Sequence, residues 1–107
     1  MLSRTSSKTC VNTMGVLEKN LARAIDARLA VFKAKADDGT ILEDSMLMAT
    51  AASMIADIIM PCCCMLCNKQ KLENLLSETK LCSGNNALIQ QLAGLVYNDL
   101  ARCNGLG

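Results

Sequence analysis

The chain has 107 residues, enough for one domain with a single core. Eleven Lys and Arg against ten Asp and Glu leave a formal charge of +1, which argues against a broad basic face for nucleic acid. Apolar residues make up 51%, yet there is no Trp, one Phe and one Tyr, so Leu, Ile, Ala, Met and Cys must fill the interior.

Residues 1–12 are rich in Ser and Thr and carry Arg4 and Lys8 but no acid. They read as a flexible N-terminal segment, leaving 13–107 as one helical domain. No apolar run follows within the first thirty residues, so no cleaved secretory signal is expected. An odd set of seven cysteines, three of them consecutive, suits a disulfide framework poorly. The expected compartment is the reducing cytoplasm.

Asn12 or Thr13 can cap a first helix running to about Lys35. Met14, Leu17, Leu21, Ile25, Leu29 and Phe32 step by three or four along one face. Glu18, Lys19, Arg23, Asp26, Arg28, Lys33 and Lys35 take the other side. Asp37-Asp38-Gly39 ends this pattern, with Gly39 free to adopt positive φ. Thr40 and Glu43 then have capping-box spacing and predict the start of a central helix there. That helix should stop near Pro61, because proline disfavours helical geometry in the residue before it. Glu43, Thr50, Ser53 and Asp57 form its narrow polar stripe. A helix this apolar belongs inside a bundle or against lipid.

Asn68 is placed to cap a third, shorter helix over about Lys69 to Leu81, with Leu72, Leu75 and Leu76 inward. Ser83-Gly84-Asn85-Asn86 is a loop by composition. Asn86 can cap a last helix from Ala87 to about Arg102, with Leu88, Leu92, Leu95, Val96, Leu100 and Cys103 inward. Gly94, with Ala87 and Ala101 seven residues to either side, suggests a close helix crossing. The expected fold is all-α: a small antiparallel bundle of three longer helices and one short one, with a Cys-rich junction after the central helix.

The cysteine cluster is the one unusual motif. Cys64-x-x-Cys67 has the spacing that lets two thiolates share a metal such as zinc, with Cys62 and Cys63 as further ligands and Cys82 and Cys103 in reserve. A strong zinc signal has two such pairs or added histidines, and this sequence has no His. A thiol-redox site and S-acylation are the other chemical readings. The plainer reading is that these cysteines are small buried apolar residues. Ser45 to Leu66 spans 22 residues with Asp57 its only charge, which admits membrane association as an alternative.

Catalysis is not expected. Without His, acid–base work would fall on carboxylates, lysines or Tyr97, and a cysteine nucleophile would lack its usual base. No cofactor loop is present. The expected function is a non-catalytic interaction, adaptor or assembly protein. Its surplus Ala/Met/Leu surface, around Met46, Met48, Met54 and Ile58, would bury against a protein partner or another copy of the chain.

Overall fold

A computed structural model describes residues 14–62 and 68–103, and every regular element among them is helical. The expected flexible segment 1–12 lies outside the described residues. Helix α1, Met14–Arg28, buries Leu21, Ala22 and Ile25. The sequence predicts that it continues to Lys35, but the backbone leaves helical geometry at Leu29 (φ −102°, ψ 19°). A 3-10 turn, Ala30–Phe32, follows, and then a short helix α2, Lys33–Asp37. The reason lies in the core. A 3-10 turn has three residues per revolution, which brings Leu29 and Phe32 to the same side, and both are buried.

Gly39 takes a left-handed conformation (φ 82°) after α2, as its position requires. Thr40 does not cap the central helix. The Asp38 carboxylate instead accepts Thr40 Oγ1–H at 2.7 Å and its N–H at 2.9 Å, and these two bonds hold Asp38 below its ordinary pKa. A 3-10 turn over Thr40–Glu43 drives Ile41 fully into the core. The capping oxygen comes one residue later: Asp44 Oδ1 accepts the N–H of Met46 at 3.1 Å and of Leu47 at 3.2 Å. Helix α3 is therefore Ser45–Ile59, and a 3-10 turn, Met60–Cys62, carries the chain through Pro61.

Asn68 caps helix α4, Lys69–Ser77, by accepting the Lys71 N–H at 3.2 Å. The helix stops short of the expected Leu81 because Thr79 turns inward. Its hydroxyl donates to the Leu76 carbonyl at 2.6 Å and accepts the Cys82 N–H at 3.2 Å. Leu81 and Cys82 are thereby buried from a turn rather than a helix. Helix α5, Asn86–Cys103, is capped by Asn85, not Asn86: Asn85 Oδ1 accepts the Leu88 N–H at 3.1 Å.

Helix α5 buries Leu88, Ile89, Leu92, Ala93, Val96 and Leu100, which shifts its inner arc away from Leu95, left 36% exposed. Gly94 does not mark a close crossing. A methyl group added there would meet only Lys69 Cε, at 3.9 Å, and Ala87 is exposed. The most extensive packing is α3 on α5, followed by α5 on α4, while α1 lies against both α3 and α4. The fold is an all-α bundle with α3 between its first and last helices.

Candidate interaction groove

The sequence-derived sites fall in very different places. Cys63, Cys64 and Cys67 lie outside the described residues, and Cys62 closes the 3-10 turn after α3. Among the described residues, no group of three or more metal-ligating side chains comes together. Cys82 is a free thiol with no exposed surface. Burial pushes its pKa up to about 11, against a lowering hydrogen bond from Thr79, and the Asp26 carboxylate pushes it slightly further up. Such a thiol stays protonated and behaves as a small apolar residue. No helix among the described residues is long and apolar enough to cross a membrane, since α3 ends at Ile59.

Of the four residues assigned to a partner, Met48 is spent on the chain's own core, being only 4% exposed. Met46 is 76% exposed, and Met54 and Ile58 are partly buried beside the core. Asp57, the acid within the apolar run, is exposed. It lines a cleft with Ser53 and Met60 of the α3 end and with Asp99 and Arg102 of α5. Arg102 and Asp99 form a loose surface ion pair at 3.6 Å.

A more apolar concavity lies elsewhere. A groove of about 190 Å³ runs between the α1–α2 joint and the turn after α4, lined by Asp26, Leu29, Ala30, Lys33, Lys80 and Leu81. Its floor is apolar because Leu29 and Leu81 are core residues. Its shape is fixed by Asp26, whose two carboxylate oxygens accept the N–H groups of Lys80 at 2.9 Å and Leu81 at 3.0 Å. These are long-range side-chain hydrogen bonds. They fasten α1 to a turn more than fifty residues away in sequence.

Charge around the groove is uneven. Residues 27–36 carry Arg28, Lys33 and Lys35 and no acid. Lys33 reaches Asp37 in an exposed pair on α2. On the far side of Asp26 and Lys80, a second hollow is lined by Lys19, Ala22, Arg23 and Glu78. Next to Ala30 in the chain stands Val31, 78% exposed, more than any other large apolar side chain among the described residues.

Reading α1 as an unbroken helix hides this groove. One signal was nevertheless in the sequence: on such a helix, Val31 falls on the polar arc, where an apolar residue has no partner. Asp26 gave no such sign, since an acid on a polar face is ordinary. Compared with known protein families, with curated proteins and with solved structures, the chain matches none.

Proposed function

We propose that this chain is a non-catalytic interaction or assembly protein of a reducing compartment, burying apolar helix surface against a protein partner or a second copy. One observation carries the reading. Leu47, Met54 and Ile58 recur at intervals of seven and four along α3, and all three stay only partly buried after the core is filled. This stripe, with Met46 76% exposed on the adjoining face, is adaptable apolar surface of the kind used against protein partners. The runner-up readings, a metal or thiol module on the cysteine cluster and an acylated membrane-associated protein, turn on Cys63, Cys64 and Cys67, which lie outside the described residues.

The test is covalent capture. A photo-reactive amino acid is placed at position 46 or 54 of the full chain in its own cells, with the native mass read by size-exclusion chromatography and light scattering. Crosslinks at both positions, to a discrete partner or a second copy, are the expected result. A strictly monomeric chain that yields no adduct at either position would overturn the reading.

A further inference from the structure

We infer that the exposed face of α3 is covered by α1 of a second copy of this chain, held there by opposite charges on the two helices. The inference rests on the interaction reading above and deepens it, naming the partner as the chain itself.

Three observations converge on it. First, exposed charge is sorted by helix. From Thr40 to Met60 the only charged residues are Glu43, Asp44 and Asp57, and all three are exposed. On α1 the exposed charges are Lys19, Arg23 and Arg28. Its acids, Glu18 and Asp26, are half-buried, and Asp26 is engaged by the Lys80 and Leu81 N–H groups. Counted in full, α1 keeps three bases against two acids, whereas the α3 stretch has three acids and no base. The surroundings do not reverse this. Lys33 and Lys35 of α2 are balanced by Asp37 and Asp38, Arg102 by Asp99 near Asp57, and Lys80 by Glu78 near Lys19.

Second, exposed apolar bulk sits beside those same charges. Val16 on α1, Val31 just beyond its end and Met46 in the first turn of α3 are the three most exposed large apolar side chains among the described residues. Third, the two helices match in shape. Each is fifteen residues long. Between their charges the exposed positions are small, with Ala49, Thr50 and Ser53 on α3 and Asn20 and Ala27 on α1, so the two backbones can approach closely. A net charge of +1 leaves little repulsion between copies. The acids of α3 disfavour an anionic lipid surface, and complementary charge selects a partner with exposed bases, which α1 supplies.

The full chain is run by size-exclusion chromatography with light scattering at rising concentration, beside Lys19→Glu/Arg23→Glu and Glu43→Lys/Asp57→Lys. All four positions are exposed, so both variants keep the core, which far-UV circular dichroism checks. The wild type should reach a mass of at least two chains, and added salt should lower it. Each variant alone should associate about tenfold or more weakly, and an equimolar mixture of the two should regain the wild-type mass. A monomeric wild type, or a mixture no heavier than its components, would overturn the inference. A second readout needs no charge reversal: a photo-reactive residue at position 46 should attach to α1 of another copy, and attachment elsewhere on that copy counts against the pairing. A monomeric wild type whose position 46 captures a different protein removes this inference and leaves the interaction reading standing. A monomer that yields no adduct removes both.

Discussion

Asp26 on α1 and Leu81 beyond α4 are joined by a carboxylate-to-amide hydrogen bond of 3.0 Å, and the same carboxylate holds the neighbouring Lys80 N–H at 2.9 Å. One acid thus closes the bundle at the end where α4 and α5 are connected. It keeps Leu81 and Cys82 inside and forms one wall of the groove.

Removing that acid should loosen the bundle measurably. Asp26→Ala leaves two backbone donors without their acceptor, at a cost of roughly 1–3 kcal/mol for bonds of this charged type. Asp26→Asn keeps one acceptor oxygen and should lose less. Urea unfolding followed by circular dichroism checks both. Equal midpoints for Asp26→Ala and wild type would show that the tie contributes nothing.

Gly94→Ala should stabilise the chain. The added methyl group would meet only the flexible end of Lys69, at 3.9 Å, and glycine inside a helix costs about 1 kcal/mol relative to alanine. For a domain of this size that gain corresponds to a rise in Tm of about 4–8 °C. A fall in Tm on thermal unfolding would mean that α5 is packed more tightly at Gly94 than its surroundings indicate.

Two neighbouring acids should behave differently at the start of α3. Asp44→Ala removes the oxygen that accepts the Met46 and Leu47 N–H groups and should cost about 1 kcal/mol. Glu43→Ala touches no capping bond and should be nearly neutral. Paired chemical denaturation curves decide between them, and the reverse order would restore the capping box suggested by Thr40 and Glu43.

Cys82 gives a pH dependence of definite sign. Its thiol titrates near 9.0 in the unfolded chain and at about 11 in the bundle, so the folded state holds the proton more tightly. Its contribution is fully present below pH 9.0 and is lost as the pH rises from there toward 11. Two units correspond to roughly 2–3 kcal/mol. A Cys82→Ala variant, with the alkaline decline of wild type subtracted, isolates this contribution from Lys and Tyr titration. In the native protein at neutral pH, Cys82 should resist a thiol reagent and react only on unfolding.

The elements written in strong apolar periodicity were legible in advance. Leu21, Ile25, Leu29 and Phe32, and likewise Leu72, Leu75 and Leu76, all enter the core. The joints were not. At Thr40, Asn86 and Leu81 several residues had suitable side chains for a cap or a helix end. Burial of Ile41, Thr79 and Cys82 decided which was used, and burial is a property of the whole bundle. The 3-10 turn at Ala30–Phe32 escaped for the same reason, since nothing local forbids a continuous helix there. The groove was hidden with it, because Asp26 and Lys80 become neighbours only through the fold.

The central helix sinks into its neighbours on alanine. Ala51, Ala52 and Ala56 of α3 and Ala93 of α5 have almost no exposed surface, and these two helices share the most extensive packing in the bundle. Where side chains are already that small, a larger residue must push the backbones apart, at a cost of about 1–3 kcal/mol. The spine therefore has little freedom to drift in sequence, and evolutionary change is channelled to the outward faces, where new contacts can be tried without disturbing the scaffold that presents them.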